Sequence, residues 1–129
     1  MDTMRRAALA ASFAADKKAQ DIVVLDVQGL CNFADVFVLC TGTNRVQLNA
    51  ISDGIQRGFK QLRMKNPVDE GRRNGNWAVL DYGDVVVHIM SEEARSFYRL
   101  ERLWGDAVEV DWESHLAEAD AEAVSARRS

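Results

Sequence analysis

The apolar positions of this chain fall into a few kinds of run, and each kind specifies an element. Ile22, Val23, Val24, Leu25 and Val27 make a near-continuous bulky stretch within Asp21–Val27. Such a stretch predicts a strand buried on both faces. Residues 34–41 (Ala-Asp-Val-Phe-Val-Leu-Cys-Thr) predict a second buried strand. The connection through Gln28-Gly29-Leu30 is short, which favours antiparallel neighbours. Leu48, Ile51, Ile55, Phe59 and Leu62 then recur at spacings of three and four, the mark of an amphipathic helix. Asp53, Gln56, Arg57, Lys60 and Arg63 occupy its opposite, solvated face. Asn44 with Gln47 three residues later resembles a capping box, and Asn66-Pro67 stops the helix.

The segment from Trp77 to Met90 alternates differently. Two apolar runs flank Tyr82-Gly83, and a Gly-containing connection of two residues suits a tight hairpin, because the turn needs positive φ. With Tyr82-Gly83 as the loop, Asp81 faces Asp84, Val79 faces Val86 and Trp77 faces His88. One side of the ribbon then carries Trp77, Val79, Asp81, Asp84, Val86, His88 and Met90. The other carries Ala78, Leu80, Tyr82, Val85, Val87 and Ile89 and suits a core. Burying the first side would strand its carboxylates, so it is expected at the surface, where an exposed indole invites a partner. The plainer reading packs Trp77 beneath the following helix.

The remaining elements are shorter. Residues 3–20 are Ala-rich and capped by Asp2 or Thr3, with Leu9 and Phe13 one turn apart and Ala8, Ala11 and Ala15 forming a narrow face that can lie close to a sheet. Pro67–Gly71 suits an edge strand and Arg72–Asn76 a polar loop. Ser91 can cap a last helix with Glu92 and Glu93 in its first turn and Gly105 at its end. Phe97, Leu100 and Leu103 can supply its core contacts. Val108–Trp112 can add a short strand. Glu113–Ser129 is rich in Ala and Glu and reads as a frayed helix or tail. The expectation is an α/β (α+β mixed) domain over residues 1–112, one mixed sheet of about five strands packed by helices, with residues 113–129 as a tail.

Composition narrows the function classes. The chain has 129 residues, enough for one core, and a net charge of −4. An acidic balance argues against a generic nucleic-acid grip and suits a basic protein partner. Cys31 and Cys40 are the only cysteines and form no CxxC pair, which points away from a zinc site or disulfide scaffold and toward a reducing compartment. No apolar run is long enough to span a bilayer. Arg5-Arg6 before Ala7–Ala15 has the outline of an export signal, but Ser12 interrupts it and Asp16-Lys17-Lys18 follows at once, so a cytosolic helix is expected.

Candidate chemistry is sparse. Thr41-Gly42-Thr43-Asn44-Arg45 joins a strand to a helix and can hold a phosphate, or can simply be a Gly turn with an N-cap; neither GxxxxGK[ST] nor GxGxxG is present. Asp26, Asp35, Asp81 and Asp84 lie at strand ends, where metal-dependent phosphoryl transfer would want them, yet no Asp-x-Asp pair shares a strand face. His88 has the pKa range of an acid/base group but no nucleophile beside it, and His115 stands alone in the tail. Arg95, Tyr98, Arg99, Glu101, Arg102 and Trp104 form a dense aromatic and arginine segment, suited either to an interface or to a half-solvated helix.

Several of these motifs together resemble the ribosomal silencing factor (Iojap-like) family. The resemblance rests on Asp16–Val27, Ala34–Thr43, Glu70-Gly71 with Trp77–His88, and Arg95–Ala107, in order and with family-like spacing over about residues 5 to 110. Cys31-Asn32, Cys40, the 72–76 loop and the tail depart from it. The resemblance implies a nucleotidyltransferase-like fold without that fold's catalytic carboxylates, no enzyme activity and no cofactor. It also implies a cytoplasmic translational repressor that binds the large ribosomal subunit through its fourteenth ribosomal protein and blocks joining of the small subunit. The expected partner-binding residues are Glu70, Trp77, Asp81, His88 and Tyr98, with little direct nucleic-acid contact. A nucleotide-binding enzyme using Asp81 or Asp84, and a homodimer through the same aromatic surface, stay open as rivals.

Overall fold

In the computed structural model of the chain the described residues are 2–70, 76–99, 102 and 104–116, without the side chains of Glu70 and Tyr98. Helix α1 spans Thr3–Asp16, and the Asp2 carboxylate caps it by accepting from the Arg5 N–H at 2.8 Å. It stops before Gln20, because Lys17 closes back on Ala14 and Lys18 turns left-handed at φ 63°. Strand β1 (Gln20–Asp26) begins with an irregularity at Asp21, itself at positive φ, and pairs antiparallel with β2 (Val36–Gly42). Helix α2 covers Arg45–Gln61 with Asn44 as its cap. Strands β3 (Val68–Glu70), β4 (Trp77–Asp81) and β5 (Val85–Ser91) follow, then helix α3 (Glu92–Tyr98) and strand β6 (Val108–Glu109).

The six strands form one mixed sheet in the order β3-β4-β5-β2-β1-β6. Only β2 and β5 run parallel; every other pairing is antiparallel. Strand β2 is buried at all seven positions, as a central strand must be. The expected edge strand after Pro67 lies at one margin and the short strand after Ala107 at the other.

Two cores separate the faces. Helices α1 and α2 cover one face, where Leu9, Leu48, Ile51, Ile55 and Phe59 pack on Val24, Val38, Cys40, Leu80, Val87 and Ile89. The helices approach closely, since a Cβ on Gly58 would lie 2.5 Å from the Phe13 ring. On the other face Ala94 of α3, Ala34, Trp104 and Ala107 pack on Leu25, Phe37, Leu39, Val86 and Met90.

Several expectations shift. The hairpin pairs Asp81 with Val86, Val79 with His88 and Trp77 with Met90, so its tip is Gly83-Asp84. Tyr82 N–H donates to the Val85 carbonyl at 2.9 Å, and Gly83 takes the positive φ of 92°. The slip is two residues, a full side-chain period, so the strand residues keep their predicted faces and only Asp84 leaves its face for the turn. Helix α3 ends at Arg99, which adopts φ 47°, and not at Gly105. Its Phe97 is 78% exposed; Ala94 makes the core contact instead. Leu100 and Leu103 lie outside the described residues, as do residues 72–75 of the expected loop at 72–76. Residues 112–116 are helical, and Trp112 and Leu116 pack against the main core; the rest of the expected tail, 117–129, lies outside the described residues.

Candidate partner-binding face

The hairpin positions the predicted residues through its alternation. Trp77, Val79 and Asp81 of β4 share a side with Val86, His88 and Met90 of β5, facing away from α1 and α2. This side is not fully open. Val86 and Met90 are buried, while Trp77, Val79 and His88 are half-buried. Helix α3 and the Trp104 segment cover the middle of the face, and the cover ends toward β4 and β3. What emerges at that margin is a strip of Val68, Trp77, Val79 and Asp81, with Val68 and Asp81 exposed.

Trp77 and His88 form the centre of the strip. The indole N–H donates to His88 Nδ1 at 3.1 Å, and the two rings lie 5.8 Å apart. An accepting Nδ1 places the single proton of the neutral imidazole on Nε2. That Nε2 is buried and has no hydrogen-bond partner among the described residues. Burial pushes the His88 pKa down to about 4. Phe37 meets the same imidazole edge-on, with ring centres 5.1 Å apart. His88 is therefore a neutral group that fixes the indole, and the surface reading of this side is corrected for it: the imidazole lies largely under the indole, a cost in exposure avoided because it carries no charge.

Asp81 lies four residues along β4 from Trp77, about 13 Å away at the usual strand rise. One of its carboxylate oxygens accepts from the Gly83 N–H at 2.8 Å, an Asx turn, and the residue as a whole is exposed. Val68 pairs with Asp81 and Glu70 with Val79, so Glu70 occupies a register position beside the strip. Tyr98 is the last residue of α3. The side chains of Glu70 and Tyr98 are outside the description. Sequence reasoning placed Val79 on this side but missed Val68, whose only signal is the pairing that sets it opposite Asp81.

The other candidates resolve into structural roles. Asp84 leaves the strip: the Thr3 hydroxyl and the Arg6 guanidinium both donate to its Oδ2. Burial raises the Asp84 pKa, but those two donors outweigh it and hold the carboxyl below its usual value. Asp26 accepts from the Gln28 N–H at 3.0 Å. At residues 41–45 the capping reading describes the geometry. Asn44 Oδ1 accepts from the Gln47 N–H at 2.8 Å, Gln47 Oε1 accepts from the Thr43 N–H at 2.6 Å, and Gln47 Nε2 donates to the Lys17 and Lys18 carbonyls. Arg95 donates to the buried Thr41 hydroxyl at 3.0 Å and so ties α3 to β2. Among the described residues no three His, Cys, Asp or Glu side chains converge as a metal site would require.

A mixed α/β sheet, helices on one face and an aromatic and acidic strip at the margin of the other define a domain that presents a surface. The family model described as "Ribosomal silencing factor during starvation" matches residues 1–129, beyond the span that carried the motif resemblance. The chain belongs to that family. It is 35% identical over 109 residues to a ribosomal silencing factor of Halalkalibacterium halodurans, covering 84% of this chain and 93% of the relative. It is 39% identical over 103 residues to the one of Bacillus subtilis, covering 80% and 87%. The fold is similar to a crystal structure from Chromobacterium violaceum, with a TM-score of 0.78, 32% identity, and 81% and 88% of the two chains covered. No helix among the described residues is long and apolar enough to cross a membrane.

Proposed function

We propose that the protein is a cytoplasmic, non-enzymatic repressor of translation that binds the large ribosomal subunit through its fourteenth ribosomal protein and sterically blocks joining of the small subunit. Family membership and the ribosomal silencing names of its relatives support the reading. The observation that carries it to particular residues is the strip at the β3–β4 margin. Val68 and Trp77 offer apolar area, and Asp81 offers a carboxylate to a Lys or Arg of a basic protein. Glu70 and Tyr98 complete the binding set, and His88 acts by holding Trp77. Residues 1–112 form the binding unit, and exclusion of the other subunit needs occupancy only.

Co-sedimentation with separated ribosomal subunits tests this. The wild-type chain is expected to travel with large subunits and to reduce their association with small ones. Asp81→Lys and Trp77→Ala are expected to lose both effects while circular dichroism stays unchanged. Normal co-sedimentation of both variants would reject the surface.

A further inference from the structure

The strip around Trp77 is smaller than a stable protein interface. A standard interface takes about 800 Å² and roughly 20–30 residues from each partner. On this face the described positions of β3 and β4 that are not buried are Val68, Trp77, Val79 and Asp81. Contact must therefore spread, and a row of rings on the same sheet face shows where. His88, beneath Trp77, packs on Phe37 of β2. Phe37 in turn lies 5.9 Å from Phe33 and 5.6 Å from Trp104. The row thus runs from β4 through β5 and β2 into the loop that precedes β2.

The far end of that row is open. Phe33 is 67% exposed and Leu30 43% exposed. Leu30, Arg102, Trp104, Gly105 and Asp106 line an adjacent open cleft of about 400 Å³. The loop is also held to the hairpin tip, since the Asp35 and Val36 N–H groups both donate to the Asp84 carbonyl at 2.8 and 3.0 Å. Strip and loop are therefore two ends of one surface, joined by backbone hydrogen bonds. Among the described residues its exposed charges include Asp81 at one end, Asp106 and the single cation Arg102 at the cleft, and Glu109, which pairs with Leu25 and shares its side of the sheet, so the balance is acidic. Such a surface complements apolar side chains flanked by cations, and it repels a polyanion.

We propose that Phe33 and Leu30 form a second apolar anchor on this face, and that one protein partner, carrying apolar side chains flanked by lysine or arginine, spans both anchors. The assignment rests on binding by the Trp77 strip. A large flat aromatic seated on a buried one is preordered, so it loses little conformational freedom on contact.

The test titrates purified large subunits against Phe33→Ser, Leu30→Ser and the control Val46→Ser. Val46 is exposed in the first turn of α2, the helix that packs on the opposite sheet face. Phe33→Ser is expected to weaken binding roughly tenfold or more and Leu30→Ser less, with Val46→Ser within twofold of wild type. Wild-type affinity in both Phe33→Ser and Leu30→Ser, with Asp81→Lys still inactive, would overturn the second anchor and leave the strip standing. Wild-type affinity in all of these variants would overturn the strip and the anchor together. Competition by protein-free ribosomal RNA at the same site would overturn a protein as the occupant.

Discussion

The ring of Phe13 occupies the space that a side chain on Gly58 would need. A Cβ there would lie 2.5 Å from the Phe13 ring, which is itself fixed edge-on against Phe59 at 5.2 Å. One turn earlier, a Cβ on Gly54 would meet only the flexible Lys17 chain, at 2.9 Å. The two glycines should therefore respond with opposite sign. Gly54→Ala is expected to stabilise by up to about 1 kcal/mol through helix propensity. Gly58→Ala is expected to destabilise by about 1–3 kcal/mol through overpacking. Thermal melts of the two variants check the contrast.

His88 gives the fold an acid limit. Its folded pKa of about 4 lies below the ordinary 6.5, so the unfolded chain binds the proton first as pH falls. Stability from this group is complete above pH 6.5 and declines between there and about pH 4, by about 3 kcal/mol at most. In His88→Phe that part of the slope should vanish. Urea titrations of both chains across this window measure the difference. An unchanged slope in the variant would remove His88 as the cause.

Asp84 acts on the same acid side, at lower pH. Its carboxyl is held below the usual value of 3.8, so its contribution is present at neutral pH and lost as pH falls through the depressed value. Asp84→Asn is expected to cost on the order of 1 kcal/mol at pH 7, because Arg6 and Thr3 lose a charged acceptor in a part-exposed setting. The melting temperatures of variant and wild type should converge in strong acid.

Gln47 couples two helix ends with one side chain. Its Oε1 serves Thr43 at the start of α2, and its Nε2 serves the Lys17 and Lys18 carbonyls after α1. Gln47→Ala should destabilise by about 1 kcal/mol. Gln47→Glu keeps the acceptor and loses the donor, so its denaturation midpoint is expected to fall between the other two.

The sequence pattern carried the sheet further than it carried the site. Continuous apolar runs located β1 and β2, and three-and-four spacing located α2, because burial on two faces or one leaves those periods directly in the residue order. The hairpin was legible as faces but not as register: a slip of two residues preserves the side of Val79, Val86 and His88, so alternation alone cannot fix the tip at Gly83-Asp84. The ends of α1 and α3 were read too far along because Lys18 and Arg99 adopt the left-handed conformation at a residue type that gives no such signal. Trp77, Asp81 and His88 were placed on one side correctly. The plainer reading of Trp77 beneath the following helix anticipates part of the half-burial of that side, but its extent depends on Trp104, Ala107 and Ala94 returning over the face from later in the chain. The exposure of Phe33 has no local signal, because nothing in the sequence distinguishes an exposed loop phenylalanine from a buried one.

Among the described residues the outermost strands of the sheet are its shortest, three residues at β3 and two at β6. Long unpaired margins recruit strands from neighbouring chains, and these are cut off before they can. Even when crowded, the folded molecule gives a growing fibril little to copy, so its self-association is left to side chains and not to backbone.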